Sequence, residues 1–161
     1  MTNAPVSSVV SVPSVGDALP SGEPLPVPAG ALARLEAVYA QLDAELEPVR
    51  RNCRMRGACC NFAASGNMLY VTALEALHMA RSGLAADETQ AGDGMCPFLR
   101  GRSCGARAHR ALGCRLHYCD RTYEEERNAL YEKFLKLIRR IEAEHGIQEA
   151  YRPVTRIAFR T

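Results

Sequence analysis

No stretch of about 18 consecutive apolar residues occurs anywhere in the 161 residues, so the chain carries no segment made to cross a bilayer as a helix. No arginine or lysine precedes Arg34, and Pro5, Pro13 and Pro20 break up the Val- and Ser-rich start. The basic and apolar regions of a signal peptide are thus both missing, and the expectation is a cytoplasmic protein. The nucleophile elbow G-x-S-x-G, the zinc-protease H-E-x-x-H, the phosphate loop and the dinucleotide fingerprint are also lacking, which removes the common enzyme signatures and leaves a reactive cysteine without a recognisable base. Aromatics are sparse where arginines are dense: Phe62, Tyr70, Phe98 and Tyr118 are the only ones between residues 50 and 121. With no finger or ribbon spacing either, nucleic acid is an unfavoured partner. There is no internal repeat.

What remains is the composition of a soluble globular protein, with 47% hydrophobic and 24% charged residues and room for one ordinary domain. The charge is uneven. Residues 1–49 carry one arginine against six acids, net −5, whereas 50–121 carry eleven arginines against five acids, net +6. Arginine accounts for eighteen of the twenty basic residues, which suits anion binding, compensation of nearby thiolates, or simply a general preference for arginine.

The arginines accompany cysteines. Four of the seven cysteines, Cys96, Cys104, Cys114 and Cys119, fall at spacings C-x7-C-x9-C-x4-C, and Cys53, Cys59 and Cys60 form a knot upstream. In a reducing compartment clustered thiols are metal ligands or catalytic groups more often than disulfides, and seven is an odd number for a fully paired framework. Thiolates are soft donors that suit zinc or an iron–sulfur cluster rather than magnesium or calcium. Structural zinc usually takes close C-x2–4-C pairs, which only Cys114 and Cys119 approach, whereas the wider spacings suit a cubane whose thiolates bind different irons. Adjacent Cys59 and Cys60 are expected to point apart, one to the centre and the other to a second metal or the core. A buried cysteine can also be a plain small hydrophobe, least so Cys104, Cys114 and Cys119. His117, two residues before Cys119, is a candidate substitute ligand or hydrogen-bond donor, while His78, His109 and His145 have weaker cases. Arg110 and Arg115 are expected to bond cluster sulfurs or loop carbonyls, or else to be solvated.

Along the chain, residues 1–29 read as a disordered Pro-, Ser- and Val-rich leader and 30–161 as a single domain. Leu32, Leu35, Tyr39, Leu42, Leu46 and Val49 recur at helical spacing from Ala31 onward. Met68–Val71 is β-prone, and Thr72 to Glu75 forms a capping box for a helix reaching Ser82, stopped by Gly83. Leu84–Gly94 reads as a surface loop. Thr122 to Glu125 makes a second capping box, opening the longest helix, whose face is Leu130, Tyr131, Phe134, Leu137, Ile138 and Ile141 and whose stop is Gly146. The tail with Ile157 and Phe159 is expected to dock as a short extended or irregular segment. The fold class is therefore mainly α: an irregular, small, metal-stabilised domain with two longer helices and a shorter one around cysteine-bearing loops, and little β.

These residues resemble the YkgJ-type zinc- or iron-chelating CxxCxxCC family. Cys53-x5-Cys59-Cys60 with Gly57 is similar to its C-x2-C-G-x-C-C motif, Cys96-Pro97-Phe98-Leu99 to its C-P-F-L segment, Cys104 to its further cysteine, and Arg110-x3-Cys114-Arg115-x3-Cys119 to its R-P-x-x-C-R-x-x-x-C ending. The match in order and spacing covers residues 53–120. It implies all seven cysteines as metal ligands, a [4Fe-4S] cluster or zinc as cofactor, and a redox or metal-handling role with a redox protein as partner. Arg56 stands where the family has its second cysteine and Ala111 where it has proline. A competing expectation is a zinc-stabilised, Arg-rich module that binds nucleic acid or another protein.

Overall fold

The computed structural model describes residues 28, 30–47, 56–117, 124–157 and 159. The expected leader over 1–29, the end of the first helix beyond 47, the second capping box at Thr122, and Cys53 and Cys119 therefore lie wholly or mainly outside the described residues.

Helix α1 runs over Ala31–Leu46 and α6 over Glu124–Glu144. Their apolar stripes face each other: Ala31, Leu35, Tyr39, Leu42 and Leu46 of α1 and Phe134, Leu135, Ile138 and Ile141 of α6 are buried in one core. The stripe read from sequence is the buried face of α1. The first turn of α6 carries Glu124, Glu125 and Glu126, where the positive end of the helix dipole favours acids. Gly146, at φ +64°, follows its end. Surface ion pairs Arg34–Glu144 and Lys133–Glu45 tie the two helices along their rims.

Between them the chain makes short elements. Helix α2 is Phe62–Ser65, capped by Asn61; strand β1 is Tyr70–Thr72; α3 is Ala73–Ala80. The expected capping box is present in both directions: Thr72 Oγ1 accepts from Glu75 N at 3.3 Å and Glu75 Oε2 accepts from Thr72 N at 2.9 Å. The acidic stretch expected as a loop contains α4, Glu88–Gly92, because Asp87 caps it by accepting from Gln90 N at 3.0 Å. Strands β2, Leu99–Arg100, and β3, Ser103–Cys104, form a hairpin about Gly101, and α5 spans Leu112–Leu116. Strand β4, Tyr151–Pro153, pairs antiparallel with β1, with Val71 opposite Arg152. The tail thus docks as an extended segment, and Phe159 reaches the Phe98 ring edge-on at 4.7 Å.

A second core lies under these elements: Cys60, Phe62, Leu69, Val71, Met79, Cys96, Phe98, Leu99, Ala106, Ala111 and Val154. Helix α3 joins the two, giving Leu74 to the helical core and Met79 to the other, and α5 does the same through Leu112 while Ala111 just before it faces the second core. The fold is mainly helical with little strand, and no helix among the described residues is long and apolar enough to cross a membrane.

Candidate metal centre

Three separate segments bring the cysteines together. In the first, Gly57 at φ +69° turns the chain into a 3-10 turn, Ala58–Cys60, and a Cβ there would stand 3.1 Å from the Arg102 carbonyl oxygen. Glycine is thus required for two reasons, the left-handed angle and the close approach to the hairpin. The second segment is attached directly to the first: Cys96 N donates to the Cys60 carbonyl at 2.7 Å, and Asn61 bridges to Met95. It continues through the hairpin in which Leu99 sits opposite Cys104. Arg100 staples this hairpin by donating to the carbonyls of Pro97, Leu99 and Ala85, so its charge is spent inside the loop. The third segment is α5, whose first turn carries Cys114. Its start is fixed by Glu75, which accepts from Leu112 N at 2.7 Å. Ala111, just before α5, has φ −68°, an angle that proline also adopts.

Cys59, Cys60, Cys96, Cys104 and Cys114, every cysteine among the described residues, line one cavity of about 410 Å³. All five are unpaired thiols. The Cys59 and Cys60 sulfurs are 3.9 Å apart. The expected divergence of this pair holds only for exposure, Cys59 being exposed and Cys60 buried, since the tight turn folds both side chains back to the same cavity. Among the described residues no three Cys, His, Asp or Glu side chains close on a single point as ligands of one ion. The sulfurs line a space instead.

Four of the thiols, Cys59, Cys60, Cys104 and Cys114, hold their protons firmly. Cys59 is raised well above the ordinary thiol range, first by its hydrogen bond to Cys60 and then by burial. The same bond pulls Cys60 down, but its contact with Cys96 and burial outweigh it and push the thiol up to about 12. Burial raises Cys104 and Cys114, and for Cys114 the neighbouring Cys60, Cys104 and Cys59 add to the rise. Cys59, Cys60 and Cys104 all act electrostatically on Cys114, Cys104 also acts on Cys60, and Cys59 on Cys104. Burial and mutual repulsion oppose turning these neighbouring thiols into thiolates together, and a cation among them offsets both.

Arg56 lines the same cavity, as do Arg102, Arg107 and Arg110. Arg115 does not serve the sulfurs: it donates to the carbonyls of Arg110 at 3.0 Å and Ala108 at 3.4 Å, pairs with Asp43 at 3.0 Å and covers the Tyr39 ring. His117 also lines the cavity. His78 and His109 instead stack edge-on with centroids 4.9 Å apart, and His78 packs on Tyr39. Burial lowers His78 to about 4, so its imidazole is neutral at ordinary pH. His145 follows the end of α6 and donates its backbone N–H to Ile141.

Two features of the site have no motif. One is the opposite wall of the cavity, with Tyr70, Tyr131, Tyr151 and Met68. Tyr70 stacks on Tyr151 at 5.2 Å and the Tyr131 and Tyr151 hydroxyls meet at 2.5 Å, a contact that requires β1, β4 and α6 to be assembled. The other is Glu75, whose place in the capping box is legible but whose further bonds to Leu112 N and Tyr39 are tertiary. Comparison of the chain with protein-family models, curated proteins and solved structures returns no match.

Proposed function

We propose that this is a small metal-binding protein whose clustered cysteines hold a [4Fe-4S] cluster or zinc, the cluster being favoured, with a redox or metal-handling role. The observation that carries this reading is that cysteines from three segments, separated by as many as 55 positions between Cys59 and Cys114, all line one cavity as free thiols. The donor set fits a soft metal: sulfur ligands, with four arginines beside them to offset the thiolate charge. A further fit is the Arg110 Nε atom, which is buried without a hydrogen-bond partner among the described residues, on a side chain of the same cavity lining.

The cluster is favoured over one zinc ion because sulfurs ranged around a space suit thiolates bound to different irons, whereas zinc needs four donors about 2.3 Å from one point. When bound, a cubane supplies one-electron redox chemistry and zinc supplies structural cross-linking. The chain's own contribution is to position the thiols on the 3-10 turn, the hairpin and α5, to shield them with Phe62, Phe98 and Leu99, and to add positive charge. In the same reading the centre stabilises the irregular segments, which have few regular hydrogen bonds of their own, and a redox protein is the partner class.

Cys114→Ser tests this. It is expected to lower both metal content and thermal stability, because Cys114 couples α5 to the other two cysteine segments. Full metal stoichiometry in that variant would make Cys114 a core residue and would count against the reading.

A further inference from the structure

The arginines lining the cavity are not equivalent. Arg56 and Arg102 are exposed, and Arg107 has interactions of its own. Arg110 is half-buried, and its Nε is shut off from water with no acceptor among the described residues. Buried polar atoms in native proteins are overwhelmingly satisfied, so a donor left free beside sulfurs is one that an acceptor in the cavity can take up. Its backbone is held in place, since Arg115 Nε donates to the Arg110 carbonyl at 3.0 Å. The Arg110 guanidinium therefore lines a sulfur-rich cavity with one donor unused, on a segment that is pinned.

We infer that Arg110 is a positioning residue for the centre, its Nε–H donating to a metal-bound sulfur and its charge offsetting the thiolates. This rests on the metal-binding reading above. The placement agrees: Arg110 lines the same cavity as Cys59, Cys104 and Cys114. Arginine suits the role because its charge is permanent and its donors are fixed in a plane. Lysine would keep the charge without the Nε–H geometry.

The test is cadmium binding to the full chain refolded with Cd²⁺ and reductant, for wild type, Arg110→Lys and Arg110→Gln. Affinity is read by chelator competition and the sulfur environment by the thiolate-to-cadmium charge-transfer band. The expected result is equal cadmium stoichiometry in all three, about tenfold weaker binding in Arg110→Gln, the effect of removing one nearby opposite charge, and a band moved to longer wavelength as the sulfurs lose a donor. Arg110→Lys should regain most of the affinity while its band stays displaced. Wild-type affinity and an unmoved band in Arg110→Gln would overturn the inference and leave the metal site standing. Absence of any thiolate band in the wild type would remove the metal site and this role together. If Arg110→Gln loses its helical circular dichroism, Arg110→Lys decides alone: a displaced band supports the role and an unmoved one overturns it.

Discussion

Replacing Glu75 by alanine should cost more stability than any surface change and should also loosen the cysteine cavity. The side chain is 1% exposed, and its carboxylate accepts three hydrogen bonds: from Tyr39 Oη at 3.0 Å, Leu112 N at 2.7 Å and Thr72 N at 2.9 Å. Those donors belong to α1, the start of α5 and the start of α3, and all three residues are buried. Alanine leaves three buried donors without an acceptor, each costing about 1–3 kcal/mol. Against this stands the relief of burying a carboxyl whose pKa is raised by desolvation. The net loss is expected at about 3–5 kcal/mol, a large share of the roughly 5–15 kcal/mol that holds a domain together. Glutamine keeps one oxygen for Tyr39 and Leu112 but presents an amide to Thr72 N–H, and should cost about 1–2 kcal/mol. Urea unfolding followed by circular dichroism measures both. Tyr39→Phe combined with Glu75→Ala should be less than additive, since the phenylalanine leaves no hydroxyl to orphan. Because Leu112 is two residues before Cys114, Glu75→Ala should also retain less metal. A loss under about 1 kcal/mol with full metal content would refute this network as the support of the site.

Two other outcomes follow from the sulfurs. At 3.9 Å the Cys59–Cys60 pair matches two corners of one tetrahedral zinc site, where zinc–sulfur bonds of 2.3 Å place sulfurs about 3.8 Å apart, and is too close for ligands of two irons in a cubane. A cluster would therefore use one of them: Cys60→Ser should abolish iron uptake and Cys59→Ser should leave it intact, and loss of metal in both variants would favour zinc. The raised thiols set the pH dependence. At neutral pH the raised thiols Cys59, Cys60, Cys104 and Cys114 are protonated, Cys60 with a value of about 12, so each of them that binds metal as a thiolate releases a proton. Affinity for Cd²⁺ should thus rise with pH between about 6.5 and 8.5, by about tenfold per unit for each proton released, and fall on acidification. A chelator competition that gives a flat profile would mean that thiolates are not the ligands.

The helices were legible because their signals are local. The stripe from Leu35 to Leu46, the box at Thr72 and Glu75 and the stop at Gly146 each depend on residues a few positions apart, and each appears where those residues predict. Glu142 shows what such reading misses. It lies among the polar residues of α6, yet it is buried because Leu74 N, on another element, donates to its Oε1 at 2.8 Å. The short helices α2, α4 and α5 were not foreseen, as four or five residues carry no hydrophobic period. At the site, the cysteines could be named from spacing, but their gathering around one cavity depends on the Gly57 approach to Arg102 and the Cys96–Cys60 backbone bond, which are long-range. The tyrosine wall depends on the pairing of β1 with β4 and left no trace in the sequence.

The central claim is tested most directly by metal and acid-labile sulfide analysis, with an absorption spectrum, of protein purified without oxygen. The account predicts about four irons and four sulfides per chain and the visible absorption of a cubane, or zinc in stoichiometric amount without sulfide. A chain that holds neither, with all its thiols free to alkylation, would contradict it.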